Sequence, residues 1–247
     1  MSLSCVSPPH VSRPFDPADT APRLLVSVRD ADEAALAAQA GADLVDAKDP
    51  ARGALGALDT DRVRAIVARV EGRALTSAVA GEPEAVGLAP CIAAMSATGV
   101  AFVKVAVRAE WSEADLARAA AAAPGRLIAV LFAEGGAATD LVPRLGSAGF
   151  LGAMIDTAGK DGRRLTDHLP FPALAAFVHA CRSHGLVSGL AGSLALPDID
   201  RLAPLGAQYL GFRGGLCAGG DRRRGLDRGR VAEAVRALRA RAWQDAA

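Results

Sequence analysis

The sequence predicts a single-domain α/β fold, a closed (β/α)8 TIM barrel, and three observations lead there. Eight short apolar runs alternate with helix-like stretches, no hairpin signal joins any two runs, and a weak internal repeat ties the runs in pairs. Strand, helix, strand without hairpins implies parallel pairing through right-handed crossovers. In the repeat a helix ends in glycine and a strand follows: QAGADLVDA, ATGVAFVKV, SAGFLGAMI and PLGAQYLGF. Its glycines, Gly41, Gly99, Gly149 and Gly206, precede strands two, four, six and eight. An eightfold count with twofold alternation fits a closed barrel better than an open doubly wound sheet, and 247 residues suit one such barrel.

Residues 1–22 are rich in proline and serine without an apolar period, so they read as a flexible N-terminal arm before a catalytic barrel over 23–247. The strands follow as LLVSV (24–28), DLVDA (43–47), ALTSAV (74–79), AFVKVAV (101–107), LIAVLF (127–132), GAMID (152–156), GLVSGL (185–190) and QYLGF (208–212). Between them, stretches such as 30–41, 60–72 and 112–125 open on Asp, Thr or Ser, repeat apolar residues three and four apart, and stop at glycine. The amphipathic stretch 230–243 is the eighth barrel helix.

Composition excludes several classes of function. A net charge of +1 provides no field for nucleic acid or an anionic membrane. No run approaches the roughly 18 apolar residues of a membrane span, and the start lacks a secretory signal, so the cytoplasm is the expected compartment. Cys5, Cys91, Cys181 and Cys217 form no metal-ligand spacing, and the histidines at 10, 168, 179 and 184 lie away from the strand ends. No metal is therefore expected, and Cys91 and Cys181 read as small buried side chains.

Reactive groups of such barrels gather at the C-terminal strand ends. There stand Arg29 and Asp30, Asp46 and Lys48, Ser77, Lys104, Glu134, Asp156 and Lys160, Gly192 and Ser193, and Arg213 to Gly215. The chain has only three lysines, 48, 104 and 160, against 25 arginines, and all three fall in that set. Lys104 interrupts an apolar strand, where an ammonium costs several kcal/mol unless it is paired or loses its proton. Asp46 and Lys48 are two apart and share a face, and Asp156 and Lys160 bracket one loop. Lysines crowded at one mouth favour a neutral amine, which is what addition to an aldehyde or ketone requires. The glycines after strands seven and eight, Gly192, Gly214 and Gly215, with Ser193, Arg213 and the run Arg222 to Arg224, suit a phosphate. The substrate read from these residues is a phosphorylated carbonyl compound.

The blocks LLVSV, GADLVDAKDPARGALGA, FVKV, MIDTAGKDG, LAGSL and GFRGGLCAGGDRRRG together resemble the (5-formylfuran-3-yl)methyl phosphate synthase family of methanofuran biosynthesis, from about Leu24 to Gly225. The resemblance implies a lyase-type condensation of two glyceraldehyde 3-phosphate molecules, with loss of phosphate and water and without a cofactor. It also implies Lys48 as the Schiff-base nucleophile, Lys104 as the proton acceptor, and Asp46, Asp156 and Lys160 as supporting residues. Glu134 stands where a shorter acid is expected, and the arm exceeds that of archaeal members. High alanine and arginine content suits a GC-rich genome and favours the methylotrophic-bacterium branch. A Schiff-base aldolase for another sugar phosphate and a non-catalytic phosphate-binding barrel are the alternatives. The alanine-rich outer helices could pair with copies of themselves, giving a homo-oligomer.

Overall fold

In a computed structural model, which describes residues 22–82, 87–159 and 162–244, eight parallel strands close into a barrel in sequence order. They are β1 (Arg23–Val28), β2 (Leu44–Ala47), β3 (Leu75–Val79), β4 (Phe102–Ala106), β5 (Leu127–Phe132), β6 (Gly152–Asp156), β7 (Val187–Leu190) and β8 (Tyr209–Phe212). Closure comes from β1, which pairs with β2 on one side and with β8 on the other. The arm expected over 1–22 lies, apart from Pro22, outside the described residues, and so does Lys160.

Helices cover the outside: α1 (Ala31–Gln39), α2 (Thr60–Val70), α3 (Leu88–Ser96), α4 (Glu113–Ala121), α5 (Leu141–Ala148), α6 (Leu165–His168), α7 (Phe171–Ser183), α8 (Asp198–Leu202) and α9 (Arg228–Gln244). Their caps follow from the sequence. Asp30 accepts from the Glu33 N–H, and Ser112 with Asp115 forms a reciprocal capping box. The cap of α2 is Asp59 rather than Thr60, because the Asp59 carboxylate accepts the Arg62 N–H at 2.8 Å. The four repeat glycines adopt φ of 97°, 91°, 90° and 72°, so each turns the chain from a helix into the next strand. Gly185, with φ of 67°, also belongs to such a turn, which is why β7 starts at Val187 rather than at 185. No helix among the described residues is long and apolar enough to cross a membrane.

Strand alternation builds two apolar layers. Leu24, Val26 and Val28 face outward against the helices, as do Val103 and Val105. Leu25, Leu44, Phe102, Ile128, Met154, Val187 and Tyr209 face inward and fill the barrel. Each such buried side chain contributes about 1.5–3 kcal/mol, so both layers resist the introduction of charge. At the C-terminal end of the barrel charge enters the interior: along β2 the inward residues run Leu44, Asp46, then Lys48, and along β4 they run Phe102, then Lys104. Cys181 and Cys217 are buried free thiols, whereas Cys91 is only half-buried.

Candidate active site

Ser27, Asp46 and Ser77 stand side by side on β1, β2 and β3, paired in register. Asp46 is fully buried and accepts from both hydroxyls, Ser77 Oγ at 2.7 Å on Oδ1 and Ser27 Oγ at 3.2 Å on Oδ2. Lys104 reaches the same Oδ2 from β4, Nζ to oxygen 2.7 Å, and is only 3% exposed. Burial pushes the Lys104 amine below the ordinary lysine range; the Asp46 charge pulls it up and the Lys48 charge pushes it further down. Desolvation outweighs the Asp46 charge, so Lys104 gives up its proton more readily than an ordinary lysine.

One level nearer the mouth, Lys48 Nζ lies 3.3 Å from Asp156 Oδ2 at the end of β6. The other carboxylate oxygen accepts the Thr157 N–H at 2.8 Å, which fixes its orientation. Asp46 and Lys48 therefore share the inward face as their spacing predicts, yet they do not pair with each other. Each joins a residue of another strand, because two residues along a strand also separate two levels of the barrel.

A cavity of about 400 Å³ opens above this quartet, with Lys48, Lys104 and Asp156 on its floor and wall. Asp46 sits behind Lys104, outside the lining. The five residues assigned to phosphate from sequence, Gly192, Ser193, Arg213, Gly214 and Gly215, all line the cavity. The loops that carry them lock together: a Cβ on Gly192, with φ of 120°, would lie 2.8 Å from Thr157 Cγ2, and one on Gly215 would lie 2.4 Å from the Leu194 carbonyl oxygen. Among the described residues no hydrogen bond claims the N–H of Gly192 or of Ser193.

Arg213 is at the cavity wall but is bound to the protein. Its guanidinium meets Glu33 twice, Nη1 to Oε2 at 2.5 Å and Nη2 to Oε1 at 3.1 Å. The remaining donors go to the carbonyls of Ser27, Arg222 and Arg224. A guanidinium has five N–H groups, and all five are used. Sequence reading passed over both Glu33, which arrives from α1, and Ser27; the signal for Ser27 was its inward position two residues after Leu25.

Glu134 accepts the N–H groups of Ala158 and Gly159 at 3.0 and 2.9 Å, tying the loop after β6 to the loop after β5. Burial opposes its ionisation, but these two bonds and the nearby His168 hold its carboxyl below the ordinary glutamate range. His168 ends the one-turn α6, with Nε2 3.9 Å from Glu134. His179 is exposed on α7.

Comparison with known proteins adds independent findings. A family model described as 4-HFC-P synthase matches residues 24–235. A Methylorubrum extorquens protein provisionally named (5-formylfuran-3-yl)methyl phosphate synthase is 62% identical over 226 residues, 92% of this chain and 95% of that protein. Proteins with the same synthase name from Methanopyrus kandleri and Methanocaldococcus jannaschii are each 35% identical, covering 84% and 85% of this chain and 94% and 97% of their own. Among solved structures, phosphoribosyl anthranilate isomerase from Thermotoga maritima superposes with a TM-score of 0.65 at 12% identity, covering 89% of this chain and 99% of that one. KGPDC from Streptococcus mutans gives 0.65 at 11% identity, over 89% and 98%. At such identities these two likenesses speak for the barrel fold alone.

Proposed function

This chain belongs to the 4-HFC-P synthase family, and from that premise we propose that it condenses two molecules of glyceraldehyde 3-phosphate into (5-formylfuran-3-yl)methyl phosphate through a Schiff base on Lys48. The atom balance of that conversion releases one phosphate and two waters and calls for no oxidant or reductant. The observation that carries the reading is the quartet of two buried ion pairs, Lys48 with Asp156 and Lys104 with Asp46, below a cavity sized for phosphorylated trioses. The reading makes the reaction a carbon–oxygen lyase step within methanofuran-type cofactor biosynthesis. Greater similarity to the bacterial relative than to the archaeal ones supports the methylotroph branch.

Lys48 adds to the aldehyde carbon of one triose phosphate, and loss of water leaves an iminium. The iminium nitrogen withdraws electrons and acidifies the adjacent C–H. Lys104, held toward its neutral form by burial, takes that proton, and the electron pair forms the enamine. Phosphate departs from the third carbon, the second triose phosphate gives up its C2 proton and bonds to that carbon, ring closure with loss of two waters forms the furan, and hydrolysis of the iminium restores the formyl group and frees Lys48. Asp46 anchors Lys104, and Asp156 stands beside the positive charge that forms on Lys48. Lys160, whose position lies outside the described residues, is the third lysine assigned to the reaction. The backbone of Gly192, Ser193, Gly214 and Gly215 receives the phosphate that is retained.

The test is trapping. Glyceraldehyde 3-phosphate with borohydride is expected to leave a reduced adduct on Lys48, located by peptide mass spectrometry, and Lys48→Arg is expected to abolish both adduct and furan absorbance. An adduct on no lysine, or full furan formation by Lys48→Arg, refutes the mechanism.

A further inference from the structure

The sequence offers four arginines for the phosphate, Arg213 and the run 222–224, and the structure separates them. Arg223 and Arg224 are exposed, and Arg223 pairs with Asp221. Arg213 has spent its five donors on Glu33 and three carbonyls. Arg222 differs from the other three. It lines the cavity, its Nη2 donates to the Gly53 carbonyl at 3.3 Å, and its buried Nε–H meets no acceptor among the described residues. Gly53 belongs to the loop that follows Lys48, so the Arg222 side chain spans the cavity mouth from the loop after β8 to the loop after β2.

The charges around it agree. Of the other cavity arginines, Arg213 is matched by Glu33 and Arg164 by Asp198. Lys48 and Lys104 are matched by Asp156 and Asp46. Arg222 and Arg230 have no carboxylate partner within salt-bridge distance among the described residues, and Arg230 is engaged with the Gly215 carbonyl at 3.1 Å. A half-buried, unmatched guanidinium whose buried Nε–H has no acceptor is costly to keep unless an anion completes it. A phosphate dianion supplies both the charge and the acceptor oxygens.

A clamp explains how a loop residue can be held so accurately. Three consecutive carbonyls of its loop are gripped by guanidinium groups: Arg222 O by Arg213 Nε at 3.0 Å, Arg223 O by Arg29 Nη1 at 2.8 Å, and Arg224 O by Arg213 Nη2 at 3.0 Å. Glu33 ties both arginines together, since its carboxylate also lies 3.3 Å from Arg29 Nε. We propose that Arg222 is the side chain that binds the substrate phosphate, and that Glu33, Arg213 and Arg29 are positioning residues which fix its loop rather than touching substrate. This rests on the reading of the cavity as a phosphorylated-aldehyde site, but not on the Schiff base.

Two measurements test it. In the first, inorganic phosphate is titrated calorimetrically into the unaltered protein, Arg222→Ala, Arg222→Lys and Glu33→Gln. Arg222→Ala is expected to weaken phosphate binding by about 10- to 100-fold, the loss typical of a charge-assisted hydrogen bond, with Arg222→Lys falling between. Glu33→Gln is expected to weaken it also, while lowering the midpoint of thermal unfolding. In the second, borohydride trapping is compared for glyceraldehyde 3-phosphate and unphosphorylated glyceraldehyde. Arg222→Ala and Glu33→Gln are both expected to reduce the preference for the phosphorylated aldehyde, an effect that general destabilisation does not produce. A folded Arg222→Ala that binds phosphate as tightly as the unaltered protein overturns the proposal, and so does a trapping preference that is unchanged. If neither aldehyde is trapped on Lys48 in the unaltered protein, the Schiff-base reading fails instead, and the phosphate titration still decides the role of Arg222.

Discussion

Replacing Asp46 by asparagine isolates the electrostatic link between the two inner residues of the quartet. The Lys104 Nζ to Asp46 Oδ2 distance of 2.7 Å corresponds to a bare attraction of about 6 kcal/mol at an effective dielectric of about 20. Less than that appears as proton affinity, because the replacement amide still accepts from the amine and the site relaxes. An opposite charge at this range typically moves a pKa by about 1–3 units, or about 1.4–4 kcal/mol. The sign is fixed: the carboxylate raises the Lys104 pKa, so its loss lets burial depress it further. Lys104 must be neutral to accept a proton, so the acid limb of kcat/KM in Asp46→Asn should move to lower pH by that interval, relative to the variant's own maximum. Furan absorbance provides the rate. With only three lysines in the chain, protein labelled with 13Cε-lysine gives three side-chain signals, from which the Lys104 titration can be followed even where activity is low. A limb or resonance that stays in place, or moves to higher pH, refutes the reasoning.

Further outcomes follow from the same geometry. Lys104→Met should lower kcat by about 10²–10⁴-fold, the usual worth of a general base, while borohydride still traps an adduct on Lys48. The same variant bears on stability. Between the depressed folded pKa of Lys104 and the unfolded value of 10.5, the unfolded chain binds more protons, so the unaltered protein gains stability as pH rises through that window. Lys104→Met should lose that gain, as denaturant titrations at a series of pH values would reveal. Ser77→Ala removes a 2.7 Å bond to a buried carboxylate and should cost about 1.5–3 kcal/mol by the same titrations. Gly192→Ala places a methyl group against Thr157 at a φ of 120° and should cost about 1–3 kcal/mol and weaken phosphate binding, measured by calorimetry.

The barrel was legible because two local signals agreed everywhere. Short apolar runs such as 101–107 marked the strands, and glycines such as Gly99 and Gly149 marked the helix ends, where the structure places them at positive φ. Lys48, Lys104, Asp46 and Asp156 were legible as inward positions at strand ends, since that follows from counting along a strand. Their partners were not. Whether Asp46 bonds Lys48 or Lys104 depends on how β2 and β4 stand across the interior, and no local pattern encodes the level at which two strands face each other. Arg213 and Arg222 look alike in GFRGGLCAGGDRRRG. What distinguishes them is Glu33, 180 residues away on α1, which occupies one guanidinium and leaves the other to the cavity.

The crossed pairing has a chemical consequence that the sequence order would not have allowed. Had Asp46 paired with Lys48, the nucleophile would share its carboxylate's two oxygens with Ser27 and Ser77 at the buried level, far from the mouth where an aldehyde enters. Instead Asp156, which is at the cavity wall, stands 3.3 Å from Lys48 Nζ, while Asp46 stays out of the cavity behind Lys104. Under the proposed mechanism each lysine would keep its own counter-charge: an iminium on Lys48 would place a fixed positive charge beside Asp156, and proton uptake by Lys104 would place another beside Asp46. Neither step leaves a cation stranded in an apolar barrel, where it would cost several kcal/mol. A guanidinium at either place could form the same ion pair but could neither add to a carbonyl nor accept a proton near neutral pH. In a chain that meets nearly every other need for positive charge with arginine, that chemical difference is what the proposed mechanism asks of lysine at positions 48 and 104.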